Sequence, residues 1–136
     1  MWNPHELYPE ASNVLDEIGW DLKAALDWAS MPYLRFETDP DLGIRFYANY
    51  GFTNHKGNCY VMASCFTEMA LALGFNPVQV SGIVPLRVGG MGPHSWVYID
   101  DLIYDPDYQK ESGNSGFGIT YGTPGTWRYT DPVPMS

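Results

Sequence analysis

An α+β fold is predicted by three features of the 136-residue sequence. Helical periodicity dominates the residues before Gly74, short alternating segments follow it, and Asp100-Asp101 separates two of those segments as a hairpin turn would. The length fits a single domain over residues 1–136 with a core of its own. Hydrophobic residues make up 45% and charged ones 17%, the balance of a folded chain rather than a disordered one. Aromatics reach 15%, and the 10 Tyr and 5 Trp suit clefts as well as cores. A net charge of −9 argues against nucleic acid as a partner, because phosphates would be repelled. No apolar run approaches the roughly 18 residues that a membrane span needs. The first residues, Met1 to His5, lack the basic and apolar regions of a signal peptide.

Residues 1–12 are polar and proline-marked, and are predicted to form a loosely tied N-terminal arm. A helix follows from about Asn13, its N-cap, to Ala29. Val14, Leu15, Ile18, Leu22, Ala25, Leu26 and Ala29 recur at three- and four-residue steps, with Asp16, Glu17, Asp21, Lys23 and Asp27 outside that stripe. Pro32 disfavours helical geometry at Met31 and stops it. Residues 33–40 read as loop. Asp39-Pro40-Asp41 offers a helix start for Leu42 to Tyr50, while the alternation of Leu42, Ile44 and Phe46 also allows a strand; Gly51 to Gly57 reads as a turn. The next helix opens at Cys59 and runs to about Leu73, burying Met62, Cys65, Phe66, Met69 and Leu73, with Gly74 as its C′ residue. Strands are predicted over 78–84, 95–100 and 102–104. In the second, Trp96, Tyr98 and Asp100 share one face and Val97 and Ile99 the other. A flexible glycine-rich loop, 87–93, lies between the first two. Residues 109–125 are rich in Gly, Ser and Asn, 126–130 read as a last strand, and 131–136 as a fraying C-terminal tail.

Two cysteines make no disulfide framework. On one helix, Cys59 and Cys65 would be separated by roughly 9 Å of axial rise, too far for a bond. Their positions differ. Asn58 is a good N-cap, which puts Cys59 at the first helical position, where unpaired N–H groups and the helix dipole favour a thiolate and can hold an oxyanion. Gly57 allows close approach of a substrate backbone. Taken alone, Cys59 is as readily a buried thiol as a nucleophile; Cys65 sits mid-helix on the apolar stripe and reads as core. His94, after the glycine-rich loop and before a strand, is the best base. His5 lies in the arm, and His55 lies in the turn four residues before Cys59. If 94–105 is a hairpin, Asp105 returns to the same end as His94 and can orient its ring; Asp107 is the competitor. Taken alone, Asp105-Pro106-Asp107 is an ordinary turn. No metal is predicted: His55, Cys59, Cys65 and His94 lack the short paired spacings of zinc sites. The run Gly89 to Gly92 has no lysine or helix start of a phosphate loop.

Taken together, Gly57-Asn58-Cys59-Tyr60-Val61-Met62-Ala63, Leu73-Gly74-Phe75, Val80-Ser81-Gly82, His94-Ser95-Trp96-Val97 and Tyr104-Asp105 resemble the transglutaminase-like domain of the papain-like cysteine-enzyme superfamily, in its bacterial form. The resemblance covers roughly residues 42–108. It implies a papain-like α+β core in which the nucleophile helix packs on an antiparallel sheet. It also implies a Cys59–His94–Asp105 triad and acyl chemistry on peptide or side-chain amides through a thioester. Hydrolysis, as peptidase or deamidase, is slightly preferred over cross-linking. For the oxyanion side-chain donor, Tyr47, Asn49, Tyr50 and Asn54 are candidates; the Gly89–Gly92 loop, Tyr50, Tyr60 and Trp96 are candidate cleft walls. No cofactor is implied, and calcium activation is not carried over, because the acidic calcium loop and flanking β domains of animal transglutaminases have no counterpart here. Relatives of this type are often exported, which would fit a domain of a longer secreted chain. The rival is a non-catalytic module that binds peptides or cell-wall polymers on the same scaffold.

Overall fold

The computed structural model describes residues 1–35, 39–86, 88–120, 122 and 127–136. The helix that opens at Cys59, α5 (Cys59–Ala72), is the centre of the fold. Of its 14 residues 13 are buried, so it is enclosed on nearly every side rather than along the one stripe predicted. Leu73 follows it as the C-cap and is only partly buried, and Gly74 takes φ +92°.

The elements around α5 account for its burial. Ala11 and Leu15 come from α2 (Pro9–Ile18), Ala25, Leu26 and Ala29 from α3 (Leu22–Ala29), and Tyr47 from α4 (Gly43–Asn54). The approach of α4 is close: a Cβ on Gly51 would lie 2.3 Å from Cys65 Sγ and 2.7 Å from Val61 Cγ1. Arg45 of α4 ties α2 to α5, bonding Glu10 at 2.8 Å and also Glu68, a nearly buried carboxyl. Burial pushes the Glu68 carboxyl above its usual range, against the pull of Arg45.

Antiparallel pairing joins four strands in the order β3-β2-β1-β4: β1 (Val78–Pro85), β2 (Met91–Ile99), β3 (Leu102–Tyr104) and β4 (Thr130–Pro134). The β2–β3 turn is Asp100-Asp101, both at positive φ (50° and 67°), as a two-residue hairpin requires. Val97, Ile99 and Tyr104 pack with α5, whereas Trp96 joins Val80, Val84, Ile103, Tyr108, Ile119 and Tyr129 in a second cluster. No helix among the described residues is long and apolar enough to cross a membrane.

Several local expectations change. The predicted arm, 1–12, instead holds α1 (Pro4–Leu7) and the first turn of α2, with Ala11 and Ser12 buried. Pro9 opens that helix, where its missing N–H is harmless. Asn13 therefore lies inside a helix rather than capping one. Gly19, at φ +105°, splits the predicted 13–29 helix, and Asp21 caps the second half through Ala24 N–H. Residues 43–54 are helical, so the strand alternative falls and α4 runs through most of the predicted turn. Met91 to Pro93 belong to β2, leaving a tighter β1–β2 turn closed by Leu86 N–H to Gly90 O, 2.9 Å; Arg87 lies outside the described residues. Residues 106–112 form a helix, α6, which runs into the Gly-, Ser- and Asn-rich stretch 109–125. The predicted last strand, 126–130, begins outside the described residues; the observed one starts at Thr130 and takes in most of the predicted tail. Met135 N–H bonds Gln79 O at 2.8 Å and Ser136 O accepts from Ile44 N–H at 2.8 Å, so these last residues are held at both the sheet and α4.

Candidate active site

Cys59 is the first residue of α5, and Asn58 caps the helix: its Oδ1 accepts from Val61 N–H at 3.1 Å and its carbonyl from Met62 N–H at 3.0 Å. No described residue accepts from the N–H of Cys59 or Tyr60, the open donors of a helix start. The approach to Cys59 is fixed by a second strand-like contact. Gly57 N–H donates to Pro32 O (3.1 Å) and Leu34 N–H to Gly57 O (3.0 Å), which places Tyr33 beside the helix start.

His94 comes from β2. Val97 pairs with Tyr104, so the next residue, Asp105, lies level with Trp96 and one step from His94 on the same face. The chain then turns away into α6 (Pro106–Ser112), whose N-cap is Asp105. His94 Nε2 and Asp105 Oδ2 are 2.7 Å apart. A carboxylate only accepts, so Nε2 carries the proton and Nδ1 is left to face Cys59 and Asp107. Asp105 is fully buried and fully used: Oδ2 also accepts from Tyr129 Oη at 2.8 Å, and Oδ1 accepts from Tyr108 N–H at 3.0 Å. Two bonds to the N-terminal helices hold α6 in place, Ser30 Oγ to Pro106 O (2.8 Å) and Gln109 Nε2 to Asp27 Oδ1 (2.8 Å).

Cys59 Sγ, a ring nitrogen of His94 and a carboxylate oxygen of Asp107 all lie within 4.8 Å of one another. His94 Nδ1 and Asp107 Oδ2 are 3.7 Å apart. Burial pulls the His94 imidazole down, yet the Asp105 carboxylate and Cys59 outweigh it, and the ring titrates well above its ordinary value. Asp107 moves the other way. Burial, with Asp105 and Glu111 nearby, pushes its carboxyl up to about 7 despite His94. Burial and the Asp105 carboxylate keep the Tyr129 phenol protonated.

The aromatic surroundings fix the ring. The His94 imidazole lies over Trp96 (6.0 Å between centroids, 22°) and meets Trp127 edge-on (4.8 Å, 77°). Gly82 makes room for this stack, since a Cβ there would sit 2.4 Å from Trp96 Cη2 and 2.6 Å from Thr130 O. Cys59, His94, Asp107 and Glu111 open on a cleft of about 420 Å³, walled by Tyr33, Val84, Pro85, Leu86, Pro93, Ser112 and Trp127.

The structure therefore gathers Cys59, His94 and Asp105, and adds Asp107. Of the other predicted site residues, only Trp96 meets this group, through the His94 ring. Asn49, Tyr50 and Asn54 line a separate shallow depression on α4 with Phe46 and Thr53. Tyr47 is buried and bonds Asp39 through its hydroxyl. Tyr60 is fully buried with its hydroxyl on Ser81, because it points from α5 into the core. Trp96 is fully buried too and supports the ring from beneath rather than walling the cleft. His55 stacks on Trp28 (3.9 Å, 9°) and His5 pairs with Asp16, so neither is near the thiol. Cys65 is fully buried, and burial pushes its thiol well up. Sequence reasoning missed Tyr33, Trp127 and Tyr129. Only the alternation of Trp127 and Tyr129 marked them, and nothing local to Asp105 pointed to a phenol 24 residues away.

No family model and no curated protein matches this chain. Its fold is shared with a solved structure. The chain resembles a Cytophaga hutchinsonii protein described as a "putative cysteine protease", with a TM-score of 0.53 and 17% identity over 77% of this chain. The match spans 38% of that structure's length. At this identity the likeness concerns the fold alone: helices and an antiparallel sheet in an α+β arrangement.

Proposed function

We propose that the protein is a cysteine enzyme of transglutaminase-like type that transfers acyl groups from peptide or side-chain amides. The observation that carries this reading is the division of the His94 ring: Nε2 is held by Asp105 at 2.7 Å, which leaves Nδ1 for the Cys59 thiol at a helix start open to a cleft. His94 takes the thiol proton at Nδ1, and Asp105 stabilises the resulting imidazolium. The thiolate adds to the amide carbon, and the oxyanion is received by the free N–H at Cys59. His94 returns the proton to the leaving amine, and the C–N bond breaks to give a thioester on Cys59. Water, deprotonated by His94, then releases the acid and regenerates the thiol; a primary amine in its place gives a new amide. We prefer hydrolysis, because water needs no acceptor subsite of its own.

A binding module without chemistry is less well supported, since such a module has no need of an Asp–His–Cys chain at the floor of an open cleft. A screen of peptide and glutaminyl amides, with and without a primary amine and read by mass spectrometry, tests the proposal. Hydrolysis adds the mass of water across a peptide bond, or replaces NH2 by OH at a side-chain amide; amine capture exchanges the leaving ammonia or amine for the added amine. Cys59→Ala is expected to abolish every such change, and unchanged turnover in that variant would end the proposal.

A further inference from the structure

We infer that Cys59 Sγ, His94 Nδ1 and the Asp107 carboxylate form a three-ligand site for zinc, and that zinc holds the protein in a reversible silent state. The ligand atoms of the three residues lie within 4.8 Å of one another. The 3.7 Å between Nδ1 and Asp107 Oδ2 is near the separation of about 3.3–3.6 Å expected for two ligands on a tetrahedral ion with bonds near 2 Å. The separations to Cys59 Sγ, which lie within the 4.8 Å span, must shorten to about 3.5 Å to close the site.

Two further observations point to a ligand here. Asp107 is 3% exposed, yet its Oδ1 has no hydrogen-bond partner, an arrangement normally avoided for a buried carboxyl, and its acidic neighbour Glu111 raises its carboxyl rather than relieving it. An ion in the cleft floor would give that carboxylate a partner. The second is the orientation of His94. Its Nε2 is bonded to Asp105, which itself is held by Tyr129 and Tyr108. A histidine that binds metal through one nitrogen and gives the other to a fixed carboxylate is the usual supporting arrangement of zinc ligands. Thiolate, imidazole and carboxylate together favour zinc over magnesium or calcium, which prefer oxygen alone. Three protein ligands leave one position open toward the cleft, where a water fits. On binding, the proton shared by Cys59 and His94 leaves to solvent, and so does the Asp107 proton where the carboxyl still holds it. The sequence hid this set because its three ligands come from the starts of α5 and α6 and from β2, not from a short paired motif.

Metal binding does not depend on the proposed acyl transfer; the silencing does. Cobalt(II) is the direct probe, because it occupies zinc sites and reports thiolate ligation. The reduced, chelator-stripped full chain, titrated with Co²⁺, is expected to bind one equivalent. It should develop a thiolate-to-cobalt charge-transfer band in the near ultraviolet and the intense visible bands of tetrahedral cobalt, and Zn²⁺ should bleach both. Cys59→Ala should remove the charge-transfer band and Cys65→Ala should leave it. Asp107→Ala and Asp107→Asn, each checked for folding by circular dichroism, should weaken binding at least tenfold. Absence of the band, its loss in Cys65→Ala alone, or undiminished affinity in both Asp107 variants would overturn the site. Zinc is also expected to stop amide turnover, with recovery on adding chelator. Turnover unaffected by saturating zinc would overturn the silent state, whereas cobalt binding without turnover on any amide would uphold the site and count against the acyl-transfer reading instead.

Discussion

Asp107→Asn should make the protein more stable at alkaline pH and no more stable in acid. The group's ordinary value is 3.8, and burial raises it to about 7 in the folded protein. At pH below about 4 the carboxyl is protonated in both states and the two proteins are alike. As pH rises, the unfolded chain ionises first, while the folded protein holds its proton until about 7. Stability from this group is therefore lost across that window and stays lost above it. At about 1.4 kcal/mol per decade the loss approaches ~4 kcal/mol. Asn keeps the shape without the charge, so urea unfolding at pH 8, with a chelator present to keep the site metal-free, should show the variant more stable by roughly 2–4 kcal/mol. The difference should vanish near pH 4. A gain of less than about 1 kcal/mol at pH 8, or an equal gain at both pH values, would refute the assignment of Asp107 as a strained carboxyl.

Tyr129→Phe removes one hydrogen bond from the Asp105 carboxylate and leaves those from His94 and Tyr108. Unfolding should become easier by about 1.5–3 kcal/mol, and alkylation of Cys59 should slow as the His94 ring loosens; unchanged values of both would deny Tyr129 its positioning role. Gly82→Ala puts a methyl 2.4 Å from Trp96 Cη2, so it should cost about 1–3 kcal/mol and shift the near-ultraviolet signal of Trp96, measured by denaturant melts and circular dichroism.

Features set by a few neighbouring residues were legible in the sequence. Asn58 marks the start of α5, Gly74 its end, and Asp100-Asp101 the β2–β3 turn, because each acts through its own backbone. The hairpin in turn makes the approach of Asp105 to His94 legible in the sequence. Features that depend on distant segments were not legible. Pro4 and Pro9 read as marks of a loose arm, although each opens a helix once α5 offers a surface for Ala11 and Leu15. The last residues read as frayed because their partners, Gln79 and Ile44, are far away in the chain. Tyr60 and Trp96 read as candidate cleft walls in the sequence. Side-chain direction on the helix and strand instead turns both inward. In the sequence Asp107 reads only as a rival to Asp105, because its separate place beside Nδ1 depends on where α6 begins.

The central claim is that Cys59 is an activated nucleophile and Cys65 an inert core thiol. Native-state alkylation by iodoacetamide, followed by intact mass and peptide mapping, tests it most directly. The account predicts a single label, on Cys59, added at neutral pH at least tenfold faster than to the same thiol in His94→Ala, with Cys65 modified only after unfolding. Equal labelling of the two cysteines, or a Cys59 rate indifferent to His94, would contradict it.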